Sequence, residues 1–310
     1  MSDRIAIRPH PMLATPVSEP FHRSGWVYEE KYDGYRILAC KEGAKVTLLS
    51  RNDHDRTATF ASVAAAVAKL RDRTVLLDGE VVAFDRKGVS RFQLLQRGDV
   101  ETRFAVFDCL YRDGRDLRHE ALSARRAELE DALAKAPPAI FLSKRLSDDG
   151  LEAYRIAKRR SLEGLVAKDL ASPYEEKRSR AWLKVKVHQE EEFVIAGFTA
   201  PRGSRRHIGA LLLGAYKNDD LHFVGKVGTG FTEARLMELA RMFKPLHRET
   251  PPFVDPPRAK QVSWLAPKLV AQIAFAEWTG DLKLRQPVFL GLRDDKSPRD
   301  CLMPQMRVHK

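Results

Sequence analysis

The hydrophobic pattern of the chain changes near residue 189, and this change limits the folds that the sequence can form. Before it, strand-like runs adjoin turns, and helices are predicted at Phe60–Leu70, Ser123–Ala134 and Leu151–Arg160. After it, short strand-like runs follow one another closely, with one predicted helix at Glu233–Phe243. The first pattern favours a mixed domain of sheets and flanking helices, and the second favours a small β-barrel.

We therefore predict an α+β protein with two domains. Residues 1–188 form antiparallel sheets with flanking helices, and residues 189–310 form an OB-fold barrel. The total of 310 residues is enough to give each domain its own core. The polar stretch Lys186–Glu192 is the predicted hinge. Residues 1–25 are expected to be irregular.

Three local features carry narrower expectations. Ser123 and Thr232 are predicted to be the N-caps of their helices, because a hydroxyl in that position accepts a hydrogen bond from a free backbone N–H group. Two separate strands are predicted at Thr74–Leu77 and Glu80–Asp85, on either side of Asp78-Gly79.

The charge of the chain points to an acidic partner. Lys and Arg number 54 against 42 Asp and Glu, giving a net charge of +12. Nucleic acid is the commonest polyanion for such a protein, although a basic protein without a polyanion partner is the alternative. The three cysteines form no CxxC pair, and no apolar run resembles a signal peptide or a membrane helix. We expect a cytoplasmic protein that does not bind or span a membrane.

The segment that carries chemistry is Glu29-Glu30-Lys31-Tyr32-Asp33-Gly34-Tyr35-Arg36, in which a lysine precedes a glycine turn and an arginine follows. A lysine is a nucleophile only when it is neutral, and nearby cations lower its pKa. Arg36, Lys184 and Lys186 are predicted to have this effect on Lys31. Taken alone, the short pattern is more often a surface turn with solvated charges.

Further motifs follow it in a fixed order along the chain. They are Ser50-Arg51-Asn52, Leu77-Asp78-Gly79-Glu80, Phe104-Ala105-Val106-Phe107-Asp108, Glu163-Gly164-Leu165-Val166-Ala167-Lys168, Trp182-Leu183-Lys184-Val185-Lys186 and Gly291-Leu292-Arg293-Asp294-Asp295-Lys296.

This order resembles nucleotidyltransferase motifs I, III, IIIa, IV, V and VI of the ATP-dependent DNA ligases, from about Trp26 to Lys296. Pro11–Ala14, Gly225–Phe231 and Pro287–Arg293 are similar to the ligase module of bacterial end-joining ligases of the ligase D and C type. The resemblance implies that the first domain is an adenylation (nucleotidyltransferase) domain.

The resemblance also assigns roles to the matching residues. It implies that Lys31 attacks the α-phosphate of ATP and carries AMP, while Glu29 helps to recognise adenine. Phe107 would stack on the adenine, although a core phenylalanine is the alternative. Arg36 and Arg51 would contact the ribose, the AMP phosphate and the 5′-phosphate of the nick.

The remaining roles concern the metal and the phosphates. By resemblance Glu80 contacts the ribose near the metal and Glu163 binds the metal, Mg²⁺ or Mn²⁺, through hard carboxylate oxygens. Lys184 and Lys186 would hold the α-phosphate, and Lys168 would contact the nucleotide.

The last motif lies in the predicted barrel. Arg293, Asp295 and Lys296 match motif VI, which in the family orients the pyrophosphate leaving group while the barrel closes over ATP. A solvated loop is the alternative for this charged run.

The implied reaction has three steps: AMP passes from ATP to Lys31, then to the 5′-phosphate of a nick, and finally leaves as the 3′-hydroxyl seals the strand. The implied partner is nicked double-stranded DNA, in DNA repair, recombination and non-homologous end joining. Ku and an end-joining polymerase are partners implied by the resemblance alone. A monomer associated with the nucleoid is expected.

Three alternatives stay open at this point. Capping guanylyltransferases use GTP and share the lysine motif and the barrel, whereas RNA ligases generally lack the barrel. A non-catalytic DNA-binding relative would need a decayed site, and every required motif residue is present. Glu29 and the barrel segments favour a ligase, and labelling with ATP or GTP discriminates between the enzymes.

One basic loop gives a prediction about DNA binding. Arg202, Arg205 and Arg206 lie close together with Gly203 and Ser204, which is typical of a loop that contacts phosphates. We expect that replacing the three arginines with serine weakens binding to duplex DNA, and that each lost phosphate contact reduces the salt slope by about 0.9. Fluorescence anisotropy at several salt concentrations measures both. An unchanged affinity would favour a solvated hairpin tip.

Overall fold

The computed structural model describes residues 4–5, 7–96, 100–187, 190–201, 208–259 and 261–304. The chain divides into two compact units, Met1–His188 and Gln189–Lys310. Each unit mixes strands with a few helices, so the α+β class is confirmed. No helix in the described ranges has the length and apolar character that a membrane crossing requires.

The first unit is built from eleven strands and four helices in its described residues. The strands are β1 (Leu13–Val17), β2 (Trp26–Lys31), β3 (Tyr35–Glu42), β4 (Lys45–Ser50), β5 (Thr74–Val82), β6 (Arg103–Arg112), β7 (Arg115–Asp116), β8 (Ile140–Leu142), β9 (Arg145–Ser147), β10 (Gly164–Asp169) and β11 (Arg178–Lys186). The helices are α1 (Ala61–Ala68), α2 (Phe92–Leu95), α3 (Leu122–Leu133) and α4 (Gly150–Arg159).

These strands form two sheets. The first sheet has the order β1-β11-β10-β2-β9, and the second has the order β4-β3-β5-β6-β7 with β8 beside β6. All pairings are antiparallel except those of β1 with β11 and of β8 with β6. The predicted antiparallel sheets are therefore confirmed. The N-terminal region is not wholly irregular, because β1 pairs with β11 at the sheet edge.

The first sheet buries one face and leaves the other for chemistry. Tyr28, Leu165 and Leu183 lie on the buried face, where they pack with Ala153 of α4. Side chains alternate along a strand, so the residues between them point to the opposite face. On β2, β10 and β11 those intervening residues include the charged motif residues Glu29, Lys31, Lys168, Lys184 and Lys186.

The second sheet is covered on one face by helices and on the other by the first sheet. Ile37 and Val106 pack with Val63 of α1 and Leu129 of α3 in the larger core cluster of the unit. On the opposite face, a smaller apolar cluster joins the two sheets. Its buried members are Met12, Leu38, Leu76, Phe107, Leu110, Tyr111, Tyr174 and Trp182.

Strand β5 differs from the prediction. The sequence predicts two strands separated at Asp78-Gly79, but the structure has one continuous strand through both residues. The register against β6 shifts between Asp78 and Gly79, as at a β-bulge. A side chain at Gly79 would meet the Ala105 carbonyl oxygen at 2.6 Å, so the glycine serves close packing within the sheet instead of a turn.

Of the two predicted helix N-caps, the structure has one. Thr232 is confirmed as a cap, since its side chain accepts a hydrogen bond from the Arg235 backbone N–H. The Ser123 prediction is wrong, because α3 begins at Leu122 and has Ala121 in the cap position without a side-chain hydrogen bond.

The second unit is mainly a six-stranded antiparallel sheet with the order β14-β13-β12-β16-β15, in which β19 also pairs with β16. Its strands are β12 (Glu190–Thr199), β13 (Leu211–Lys217), β14 (Asp220–Val227), β15 (His247–Arg248), β16 (Val262–Ala274), β17 (Glu277–Trp278), β18 (Leu284–Arg285) and β19 (Val288–Leu292). The helix α5 (Glu233–Phe243) contributes Leu239 and Phe243 to the core.

The long strand β16 joins most of the strands of this sheet. It pairs with β12, β15 and β19, and the register with β12 shifts between Ile195 and Gly197. Within residues 190–201, 208–259 and 261–304 no pairing joins β14 to β19, so hydrogen bonds do not close the barrel. The arrangement is an open barrel of the OB type, as predicted.

Candidate active site

One face of the first sheet gathers the charged motif residues. Across β2, β10 and β11, Lys31 lies opposite Gly164, which lies opposite Lys186. Glu29 likewise lies opposite Val166, which lies opposite Lys184. Directly opposed residues share a face of a sheet. The structure thus brings together Glu29, Lys31, Lys168, Lys184 and Lys186, from three separate motifs.

Lys31 is held by a carboxylate. Its Nζ lies 2.5 Å from Glu163 Oε1, and the two side chains are 19% and 9% exposed. Burial has the largest effect on the pKa of Lys31 and lowers it, but Glu163, Glu80 and Asp33 together outweigh burial and raise the pKa.

The expected cause of lysine activation was therefore wrong for this state of the protein. Arg36, Lys184 and Lys186 were expected to lower the pKa of Lys31, whereas carboxylates dominate its surroundings and raise it. In the ion pair Glu163 Oε1 lies within reach of a proton on Lys31 Nζ.

Glu29 lies at the deeper end of the same face. It is 1% exposed, and its two oxygens are bound by different cations. Lys168 Nζ donates to Glu29 Oε2 at 2.9 Å, and Arg126 of α3 donates to Glu29 Oε1. Arg126 lies outside every sequence motif and reaches Glu29 only through the packing of α3.

Two aromatic rings surround the Lys168 ammonium. Its Nζ is 4.3 Å from the ring centre of Phe107 and 4.3 Å from that of Trp182. The Arg36 guanidinium lies 4.5 Å from the Phe107 ring centre. Phe107 is also a member of the apolar cluster between the sheets. Its ring therefore belongs to the core and at the same time lies beside the charged groups.

Arg36 is fixed by a buried aspartate. Its Nε and Nη2 donate to the two oxygens of Asp78 at 2.5 and 2.6 Å, and Tyr174 donates its hydroxyl to Asp78 Oδ2 at 2.7 Å. Arg36 Nη2 also donates to the Met12 carbonyl oxygen at 3.1 Å. Asp78 belongs to the motif Leu77–Glu80, but the sequence alone does not predict its function. Its place beside Arg36 follows from the pairing of β3 with β5.

Arg51 and Glu80 lie at the same end of the second sheet as Arg36. Glu80 is directly opposite Arg36 on β5, and Arg51 follows Ser50, which is opposite Ile37. Glu80 also acts on the Lys31 ammonium, as its effect on the pKa indicates. Residues from the second sheet therefore reach the charged face of the first.

The carboxylates of this region fit a magnesium-type cation. No group of three or more His, Cys, Asp or Glu side chains arranged to hold a metal occurs among the residues described. In nucleotidyl transfer, however, Mg²⁺ is usually bound by one or two carboxylates together with substrate phosphates. Glu163 and Glu80 supply two carboxylates near Lys31 and suit that arrangement.

The motif residues of the second unit form their own cluster. Arg293, which is 7% exposed, donates from Nε and Nη2 to the two oxygens of Asp295 at 2.7 and 2.8 Å. Lys296 Nζ lies 3.9 Å from Glu192 Oε1. The alternative of a solvated loop is wrong for Arg293 and Asp295. Arg202, Arg205 and Arg206, the predicted DNA contacts, lie outside the described residues.

Comparison with known proteins identifies the family. Residues 11–186 match the model of the ATP dependent DNA ligase domain, and residues 204–296 match that of the ATP dependent DNA ligase C terminal region. The chain belongs to the ATP-dependent DNA ligases. These matches cover both units and do not favour the capping enzyme or the non-catalytic alternative.

Individual relatives agree with this assignment. The chain is 40% identical to the multifunctional non-homologous end joining protein LigD of Pseudomonas aeruginosa over 94% of its length, and to that of Mycolicibacterium smegmatis over 97%. It spans only 36% and 41% of the length of these two proteins.

A solved structure is also similar. Mycobacterial DNA ligase D complexed with ATP and MES shares 35% identity with a TM-score of 0.71, covering 96% of this chain and 98% of the other. This level of identity and overlap supports the adenylation and OB-type assignment of the two units.

The Lys31–Glu163 pair gives a prediction about proton affinity. In Glu163→Gln, a major cause that raises the pKa of Lys31 is removed while burial remains, so the pKa of Lys31 falls. The pH dependence of acylation of Lys31, followed by peptide mass spectrometry on nucleotide-free protein in EDTA, should have a midpoint at lower pH than in the wild type.

Glu152→Gln is the matched control, because Glu152 is a partly exposed glutamate of α4 that pairs with Arg155 and Arg159. Its midpoint should equal that of the wild type. An unchanged or higher midpoint in Glu163→Gln would show that Glu163 does not control the lysine.

Proposed function

We propose that this protein seals nicks in duplex DNA through AMP carried covalently on Lys31. The observation that carries the proposal is the common sheet face on which Lys31, Glu29, Lys184 and Lys186 lie, with Glu163 against the nucleophile. Membership of the ATP-dependent DNA ligases supports ATP as the nucleotide.

The first step joins Lys31 to AMP. Glu163 Oε1 takes a proton from Lys31 Nζ, whose lone pair then attacks the α-phosphorus of ATP. A phosphorus–nitrogen bond forms, the bond to the bridging oxygen breaks, and pyrophosphate leaves with that electron pair. The nitrogen then gives up its second proton to the departing pyrophosphate. Lys184 and Lys186 lie on the same face and neutralise charge on the α-phosphate oxygens, which such a transfer requires.

The base and ribose of the nucleotide would lie beyond Lys31 on the same face. Glu29 and Lys168 supply an acceptor and a donor for the base edge, and Phe107 supplies an aromatic ring. Arg36 and Arg51 are at the end of the second sheet with Glu80, where ribose and phosphate contacts are expected. Glu163 and Glu80 would hold the divalent cation, which when bound neutralises phosphate charge.

The second and third steps transfer AMP to DNA and remove it. The nick 5′-phosphate oxygen attacks the AMP phosphorus, and the Lys31–phosphorus bond breaks. The 3′-hydroxyl then attacks the 5′-phosphorus and expels AMP. In the first step Arg293 and Lys296 of the second unit would orient the leaving pyrophosphate. This role requires Arg293 to exchange its bond with Asp295 for phosphate oxygens.

The named relatives support a biological setting for this activity. Both LigD proteins are end-joining proteins by name, so we place the chain in DNA repair by end joining. Nicked duplex DNA is the proposed partner, and the net charge of +12 supports it. Contact with Ku or a polymerase, a monomeric state and nucleoid association are further elements of this proposal.

A sealing assay tests the order of the steps. The wild type should seal a singly nicked duplex with ATP and Mg²⁺, and Lys31→Ala should not. Because the third step needs no lysyl-AMP, Lys31→Ala should still seal a duplex whose 5′-end is already adenylylated. The exposed Lys135, near the end of α3, provides the control Lys135→Ala, which should seal both.

Product length on a denaturing gel gives the readout. Sealing of the ordinary nick by Lys31→Ala would contradict the assignment of the nucleophile. Failure of the wild type on both substrates, with well-folded protein, would contradict ligase activity.

A further inference from the structure

Arg126 is a partly buried arginine to which neither the motifs nor the proposed mechanism assigns a role. It lies on α3, its side chain is 11% exposed, and its Nη1 donates to Glu29 Oε1. The other oxygen of Glu29 accepts a hydrogen bond from Lys168 at 2.9 Å. The carboxylate is thus held from two sides by two cations that come from different elements of the first unit.

The Glu29–Lys168 pair has a defined polarity. An ionised carboxylate only accepts hydrogen bonds, and an ammonium only donates them. Each carboxylate has about four lone-pair sites, so Glu29 retains acceptor capacity beyond Arg126 and Lys168. Adenine carries a 6-amino donor beside the ring acceptor N1, whereas guanine carries a 6-oxo acceptor beside an N1–H donor. An acceptor next to a donor therefore complements adenine and opposes guanine.

We propose that Arg126 is a positioning residue for base selection, because it fixes the Glu29 carboxylate as the acceptor that reads the 6-amino group of adenine beside the Lys168 donor. This inference rests on the proposed function, in which Glu29 and Lys168 face the base. It adds to that function the residue that makes the pocket selective for ATP over GTP.

Lys168 alone is a poorer anchor for Glu29. It is 2% exposed, and burial lowers the pKa of its ammonium, so its charge is maintained at an energetic cost. Arginine stays charged at any pH that a protein tolerates and offers a planar fork of donors. Held between Arg126 and Lys168, the Glu29 carboxylate has little freedom to rotate. A site that is built to bond a polar group of the substrate rejects the analogue that lacks it most strongly.

The experiment compares three nucleotides in covalent adduct formation with the full chain. ATP, GTP and purine riboside triphosphate, which lacks the 6-amino group, are used at a series of concentrations, and intact-mass spectrometry gives KM and the maximal rate. Arg126→Met keeps much of the side-chain volume but removes the charge and the donors. Because the phosphate contacts are untouched, the change should fall mainly on KM for ATP.

In Arg126→Met the ATP-to-GTP ratio of kcat/KM should fall by about tenfold or more, the size expected when a charged hydrogen bond is lost. The penalty for removing the 6-amino group should shrink by a similar factor, which a merely structural role would not produce. Arg126→Lys, which keeps the charge, should recover part of the selectivity.

Arg71→Met is the matched control. Arg71 also pairs with a carboxylate of α3, Asp131, but it is 49% exposed and its partner 58%. Its nucleotide selectivity should equal that of the wild type. If Arg126→Met does not fold, as judged by circular dichroism, the same ratios in Arg126→Lys decide the question.

An Arg126 variant with wild-type ATP-to-GTP ratio and wild-type 6-amino penalty overturns the inference, and so does a wild type that uses ATP and GTP equally. In either case an AMP adduct on the wild type leaves the proposed function intact. If the wild type forms no adduct with any nucleotide, the proposed function itself has failed. This outcome differs from a failure of the Arg126 inference, in which the wild type still forms the AMP adduct.

Discussion

Two aspartates, Asp78 and Asp108, lie opposite each other on β5 and β6 and have no exposed surface. Such charges are tolerated in a protein interior only when they are paired and hydrogen-bonded. Asp78 is bound by Arg36 and Tyr174, and Asp108 by both Nε and Nη2 of Arg125, at 2.7 and 2.8 Å. Removing one partner of such a pair typically costs about 3–5 kcal/mol. The space between the two sheets is therefore organised by charge as much as by apolar packing.

This arrangement fixes the positions of the cationic side chains in the candidate site. Arg36 is directed by Asp78 onto the Phe107 ring, and Lys168 lies between the rings of Phe107 and Trp182. The Lys31 side chain is likewise held against Glu163. Preorganised donors of this kind lose little conformational freedom when a substrate binds and so favour the reaction. In the second unit, the two hydrogen bonds from Arg293 to Asp295 fix the position of the Arg293 guanidinium.

The sequence identified the motif residues but not the contacts between them. The alternation of β2 and β11 was enough to place Lys184 and Lys186 on one face, because the period of a strand is fixed. It was not enough to identify the groups that surround Lys31, since these depend on how β10 and the second sheet pack. The sequence therefore predicted a lowered pKa for Lys31, whereas in the structure this pKa is raised. Arg126 had no local signal, because only the docking of α3 brings it to Glu29. The predicted break between two strands at Asp78-Gly79 is wrong. Gly79 is required there by close packing and a β-bulge, and not by a turn.

The central claim is that Lys31 carries the nucleotide, and intact-mass spectrometry tests it most directly. Wild type and Lys31→Ala are incubated with ATP and Mg²⁺, or with GTP and Mg²⁺, after the starting protein has been shown to carry no adduct. We predict that the wild type gains the mass of one AMP with ATP, that GTP gives little or no adduct, and that Lys31→Ala gains nothing. An AMP adduct that persists in Lys31→Ala, or a wild type that gains no mass, would contradict the account.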